Sequence, residues 1–247
     1  MSENKKIYLI GAGPGDPELI TLKAIRALKE SRVVLYDQLV NPEILEHIPS
    51  TAQKIFVGKS KGNHSVPQDE INAILVDQAK KFDIVSRLKG GDPFIFGRGG
   101  EEVEYLVKLG FKVEVIPGVT SASGAASSIL LPLSHRRYAS EVVLITGHKK
   151  RNGDYKQFDS YNFKNKTVII YMGITALREI SQELCKKSEN CKVPVAIIEN
   201  ATLPGQRMVR GELGKIVEIA EENMIKAPSL IIIGAIVKFL DDIDFKE

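Results

Sequence analysis

The sequence predicts an α/β protein made of two α/β domains, with the active site in the cleft between them. Short apolar runs alternate with longer amphipathic segments, the β-α-β-α order of a largely parallel sheet. Several runs are unbroken Val, Ile and Leu without polar alternation, as in strands covered on both faces. A helix rich in small residues, followed by "LPLSHRRYAS" at 131–140, separates two strand series. The boundary is therefore expected between an N-terminal domain 1–135 and a C-terminal domain 136–247. A cleft between two such halves is a favoured place for a small-molecule site.

Each element has a local reason. Residues 6–10, 32–36, 54–57, 84–88 and 113–116 are the strands of the first half, rich in β-branched and aromatic residues. Between them, 17–29 opens at Asp16-Pro17, a capping carboxylate and a proline suited to a first turn. Segment 68–81 carries apolar residues at helical spacings of three and four. Segment 100–109 follows a run of glycines, with apolar residues at helical spacing. The second half repeats the plan. Strands are expected at 141–146, 167–171, 195–199, 207–210 and 230–235, and helices at 175–187 and 214–223.

Composition excludes more than it assigns. With 34 basic and 31 acidic residues the net charge is only +3, too small to argue for a nucleic-acid partner, and no basic, aromatic stripe points to RNA. No apolar run reaches the length of a membrane span. The start, MSENKK, lacks the apolar stretch of a secretory signal, so a cytoplasmic protein is expected. The two cysteines, Cys185 and Cys191, are read as free thiols, and no histidine pair stands beside them at metal-ligand spacing. His135 and His148 are expected to be buried and hydrogen-bonded, and no metal is expected.

Two glycine-rich stretches carry the chemistry. "LIGAGPGDPELITLKAI", residues 9–25, passes from strand to glycine turn to helix, but Asp16 stands where a dinucleotide fingerprint needs its third glycine. An anionic cap fills the place where a pyrophosphate would meet the helix dipole. Asp37, roughly twenty residues further on, sits where a ribose-binding carboxylate would fall. That leaves an NAD-dependent oxidoreductase as a rival reading. The second stretch, "RLKGGDPFIFGRGGEE" at 87–102, combines backbone open to close approach, an apolar strip and a carboxylate. These suit a ligand with a flat ring, a sugar and a positive centre. A triphosphate is excluded, since no G-K-[ST] loop occurs.

The motifs then resemble a known family. GAGPGDPEL at 11–19, LYDQLV at 35–40, the segment 58–72, GGDPFIFGRGGEE at 90–102, PGVTSASG at 117–124, LPLSHR at 131–136, TGH at 146–148 and YMG at 171–173 follow the order seen in uroporphyrinogen-III C-methyltransferases of the tetrapyrrole methylase family. The resemblance implies two α/β domains, a homodimer, S-adenosylmethionine as methyl donor, S-adenosylhomocysteine as product and a tetrapyrrole as small-molecule partner. It implies methylation of uroporphyrinogen III at C2 and C7 to precorrin-2, for sirohaem and cobalamin-type cofactors. Some sirohaem-making proteins fuse this activity to a dehydrogenase and ferrochelatase module; 247 residues leave no length for that, so methyl transfer alone is expected. Carried over by motif, Pro14, Gly90, Gly91, Asp92, Ile95, Thr120, Ser121, Met172 and Ala201 would line the donor site. Asp37 would accept a proton and Lys59 donate one. Arg87, Arg98 and Arg136 are the foremost candidates to hold the acceptor's carboxylates, arginine's planar fork being suited to them; Lys89, Arg137 and Arg207 also border motifs. The rivals are a sister precorrin methyltransferase and, from other classes, the oxidoreductase and a ligand-sensing module without chemistry.

Overall fold

The computed structural model describes residues 5–58, 67–149, 155, 158 and 161–243. It divides into two compact units, Met1–Ser121 and Ala122–Glu247. The division falls ahead of the 135/136 boundary expected from composition. One reason is local: the backbone N–H of Ala122 donates to the Tyr171 hydroxyl at 3.0 Å, which ties the small-residue helix to a strand of the second unit.

In the first unit, β1 (Lys6–Gly11), β2 (Val33–Tyr36), β3 (Gln53–Phe56), β4 (Ile84–Lys89) and β5 (Lys112–Ile116) form one sheet in the order β3-β2-β4-β1-β5. Every pairing is parallel. Side chains alternate between faces, and both faces are covered. Ile7, Leu9, Val33 and Leu35 pack with Leu75 of α2 (Gln68–Lys81) and Leu106 of α3 (Gly99–Lys108). Their neighbours Tyr8, Ile10 and Val34 pack with Ala24 and Leu28 of α1 (Leu22–Glu30). The continuous apolar runs of the sequence are thus explained by burial on two sides.

One expected helix is broken in two. Residues Pro17–Leu19 make a 3-10 turn, and α1 starts only at Leu22, where the Thr21 hydroxyl accepts from the Ala24 N–H. Asp16 does cap, but it caps the short turn: its carboxylate accepts from Glu18 N at 2.9 Å.

The small-residue helix is α4 (Ser121–Ser128). In the second unit, β6 (Glu141–Thr146), β7 (Lys166–Tyr171), β8 (Pro194–Glu199), β9 (Arg207–Glu212) and β10 (Ser229–Ile233) are ordered β6-β7-β10-β8-β9. Helices α5 (Leu177–Leu184) and α6 (Ile216–Glu222) pack on the sheet through Leu177, Ile180, Ile216 and Ala220, against Ile170, Ile197 and Ile231. A short helix α7 (Phe239–Asp242) closes the described chain.

The expectation of a largely parallel sheet fails here. Only β6 and β7 are parallel; the other pairings are antiparallel. The connection 200–206 between β8 and β9 is too short for a parallel crossover and forms a hairpin instead. That reversal is inherited by β10, which α6 then delivers to the far side of β8.

Both cysteines are free. Burial, with Cys191 beside it, pushes the Cys185 thiol up to about 12, so it stays protonated and unreactive at neutral pH.

Candidate functional site

Because the first sheet is wholly parallel, all its motif loops leave from one edge. The chain departs from β1 toward β2 on one side and from β4 toward β5 on the other, so β1 and β4 bracket a topological switch, the favoured ligand position in an open parallel sheet. There the two glycine-rich stretches meet. Gly13 and Gly91 exchange backbone hydrogen bonds, Gly91 N to Gly13 O at 2.6 Å and Gly13 N to Gly91 O at 3.2 Å. The third loop, after β5, closes on both. A Cβ on Gly11 would lie 2.5 Å from Gly118 N, and one on Gly118 would strike the Gly91 carbonyl. Gly91 itself has φ 67°, a left-handed conformation that favours glycine.

Side chains lock the same knot. Asp92 accepts from Phe94 N at 2.8 Å through Oδ1 and from Gly118 N at 3.1 Å through Oδ2. Asn41 donates to Gly15 O at 2.8 Å, holding the loop that carries half-buried Pro14. Ser121 stands beside Gly91: a Cβ there would lie 3.5 Å from the serine Oγ. Thr120 and Ile95 are half-buried. Gly90 backs onto Leu39 of the LYDQLV segment. Phe94 and Phe96 are exposed, 57% and 38%, and are not core residues; they leave an apolar strip on the surface beside the glycine knot.

The opening loop is poorly suited to a pyrophosphate. The helix N-terminus that should face it is replaced by a 3-10 turn capped by Asp16.

Next to the knot, at the end of β2, Asp37 accepts from Leu39 N at 3.1 Å through Oδ1 and from Arg87 Nη2 at 3.0 Å through Oδ2. Its carboxylate remains partly open to solvent, whereas Arg87 is buried. Arg87 also donates from Nη1 to Leu88 O at 2.8 Å, and its Nε lies 3.7 Å from Glu102 Oε1. Glu102, fully buried in the first turn of α3, accepts from Lys89 Nζ at 3.0 Å and Gln68 Nε2 at 2.9 Å. Burial, and next the repulsion of Arg87, lowers the pKa of Lys89 below its ordinary value.

Arg87 and Lys89, candidates for the acceptor's carboxylates, are both buried and bonded within the protein. Arg98 is exposed, with φ 59°, and pairs with Glu101 through Nε at 3.0 Å and Nη2 at 2.6 Å. Lys59 lies outside the described residues.

In the second unit β6, β7 and β8 run the same way, so their C-terminal ends share an edge. Met172 follows β7 with φ 53° and is 39% exposed. Ala201 follows β8, half-buried, between Asn200 and Thr202, which also have positive φ. Arg136 is exposed. Arg137 is paired with Asp242, and Arg207 with buried Glu199, its Nε 2.8 Å from the carboxylate. His135 is half-buried, its Nδ1 accepting from Arg137 N at 3.2 Å, with its ring against Tyr138 and Phe239. His148 is exposed, contrary to expectation. Among the described residues no group of His, Cys, Asp and Glu could hold a metal ion, and no helix is long and apolar enough to cross a membrane.

Sequence reasoning passed over Glu102, Gln68 and Asn41. Each lay inside or beside a motif already singled out, yet an acidic residue in a first helical turn reads as dipole compensation, and an amide reads as surface.

Comparison with known proteins agrees with this architecture. Residues 6–217 match the model of the Tetrapyrrole (Corrin/Porphyrin) Methylases. The chain is 46% identical over 237 residues to a uroporphyrinogen-III C-methyltransferase of Methanocaldococcus jannaschii, covering 96% of this chain and 98% of that protein. It is 44% identical over 241 residues to the siroheme synthase of Hahella chejuensis, covering 98% of this chain. The chain spans about half the length of the siroheme synthases it matches, 51% in that case. A crystal structure of uroporphyrin-III C-methyltransferase from Thermus thermophilus complexed with S-adenosylhomocysteine superposes with a TM-score of 0.79 at 38% identity, over 95% of this chain and 94% of that one. With a family match across most of its length and relatives of this identity, the chain belongs to the tetrapyrrole methylase family.

Proposed function

We propose that the chain is an S-adenosylmethionine-dependent C-methyltransferase that methylates uroporphyrinogen III at C2 and then C7 to give precorrin-2. The observation that carries this reading is the knot of three loops at the β1/β4 switch, where Gly11, Gly91 and Gly118 bring backbone against backbone beside the exposed Phe94–Phe96 strip. The chemistry of these groups fits the donor: backbone N–H and C=O groups, a carboxylate, and apolar surface suit an adenine, a ribose and a cationic amino acid. Pro14, Gly90, Gly91, Asp92, Ile95, Thr120 and Ser121 would hold it, and Met172 and Ala201 on the second unit are assigned the same role.

When bound, the donor supplies an electrophilic methyl: a C–C bond forms to the pyrrole carbon, the S–CH3 bond breaks, and sulfur keeps the electron pair as a neutral thioether. The chain's own task is alignment and exclusion of water. The methylated macrocycle is left cationic and must lose a proton. Asp37, oriented from both sides and open to solvent, takes it as general base. Lys59 is assigned the part of proton donor. Arg98 and Arg136 are assigned to acceptor carboxylates; Arg98 would exchange its Glu101 pairing for that contact. The protein is proposed to act as a homodimer. Sedimentation equilibrium supports this at twice the 27.3 kDa chain mass and contradicts it at the chain mass.

The test is mass spectrometry of the product from uroporphyrinogen III and donor labelled in its methyl group. Two labelled methyls, at C2 and C7, are expected. One methyl at another carbon would move the chain to a sister methyltransferase, and none would overturn the reading.

A further inference from the structure

We infer that Arg87 and Glu102 are positioning residues for the Asp37 carboxylate, acting through it on turnover without touching the acceptor. The inference rests on Asp37 being the proton acceptor. Arg87 pairs in register with Leu9 and Leu35 on neighbouring strands, whose side chains lie in the apolar layer under α2 and α3. A guanidinium in that layer is expensive to desolvate. Two of its nitrogens are used in opposite senses: Nη1 is anchored on Leu88 O and Nη2 holds Asp37 Oδ2.

The chain of charges continues inward. Arg87 Nε faces Glu102 Oε1 at 3.7 Å without a hydrogen bond, and Glu102 Oε2 is likewise buried without one. Stability alone does not favour such an arrangement, because well-packed apolar residues of similar volume are often neutral or stabilising in place of buried ions. Its geometric product is a carboxylate fixed on two sides at the edge of the glycine knot, by Leu39 N and by Arg87. Glu102, tied to Lys89 and Gln68, supplies the buried negative charge opposite Arg87. Lysine cannot replace this arginine, since one ammonium cannot reproduce a planar fork with separated donors.

The experiment measures kcat and KM for uroporphyrinogen III, and Kd for S-adenosylhomocysteine, in Arg87→Met, Arg87→Lys, Glu102→Gln, Asp37→Ala and the double variant Asp37→Ala/Arg87→Met. Arg87→Met is expected to lower kcat by about 10–100-fold, the cost of a misplaced reacting group, with KM and Kd within about threefold. Arg87→Lys should recover only part of the loss. In the Asp37→Ala background, Arg87→Met should lower kcat no further, the non-additivity of residues acting as one unit. Glu102→Gln, near-isosteric, should lower kcat with Kd unchanged, and it decides the matter if Arg87→Met does not fold. A rise in KM at constant kcat would make Arg87 an acceptor contact and overturn the inference. So would multiplicative losses in the double variant, or wild-type kcat in Glu102→Gln. If Asp37→Ala alone leaves kcat unchanged, the reading of Asp37 as base fails first, and is recognised separately.

Discussion

Asp37→Ala is expected to lower kcat with uroporphyrinogen III by about 10²–10⁴-fold, the range for removing a positioned general base, while S-adenosylhomocysteine binds with unchanged Kd. The side chain sits at the end of β2, and its two oxygens are fixed by Leu39 N and Arg87 Nη2. Neither of these partners belongs to the glycine knot, so loss of the side chain should spare the donor. Asp37→Asn preserves size but not the ability to take a proton, and its amide nitrogen can accept from neither Leu39 N nor Arg87 Nη2. It should therefore be nearly as slow as the alanine variant, which separates charge from shape. Equal losses of binding and rate would recast Asp37 as a wall of the donor site.

Gly118→Ala is expected to lower stability by about 1–3 kcal/mol, the usual cost of overpacking, and to weaken S-adenosylhomocysteine binding at least about tenfold, a 1.4 kcal/mol change. The new Cβ would strike the Gly91 carbonyl and lie 2.9 Å from the Gly11 Cα. Both neighbours are backbone, so no rotamer change relieves the collision. The loop after β5 must retreat, and with it the hydrogen bond from Gly118 N to Asp92. Gly100→Ala is the control, since a Cβ there meets nothing within 4 Å; in a helix it should be neutral or mildly stabilising. Thermal melts and calorimetry read both variants. A Gly118→Ala protein with wild-type melting and wild-type Kd would contradict the backbone packing on which the site is built.

Much of the fold could be read from apolar runs. The strands appear where Val, Ile and Leu cluster, and the first sheet is parallel as expected. The direction of the second sheet could not be read in the same way. Runs such as "TVIIY" and "LIIIG" look alike in parallel and antiparallel cores, and strand sense is decided by the connections, chiefly 200–206. The split of the first expected helix turned on Thr21, a second capping residue inside a pattern already opened by Asp16.

The site divides along a similar line. The glycines signalled close backbone approach, but which backbones meet is long-range information: Gly11 touches Gly118 across the sheet edge. Asp92 was read as a ligand group, and both of its oxygens also hold the protein's own N–H groups, a structural part that the sequence did not show. Arg87 was named a candidate for acceptor carboxylates because it borders a motif; strand alternation places it on the buried face where Glu102 lies. Motif membership marks a region; the face of the strand decides the role.

The central claim is that the glycine knot at the β1/β4 switch holds a sulfonium donor and not a dinucleotide. Isothermal titration of the protein with S-adenosylhomocysteine and, separately, with NAD tests it most directly. Saturable one-site binding of S-adenosylhomocysteine, weakened at least about tenfold in Gly118→Ala, with no heat from NAD, is the predicted result. Binding of NAD with no response to S-adenosylhomocysteine would contradict it.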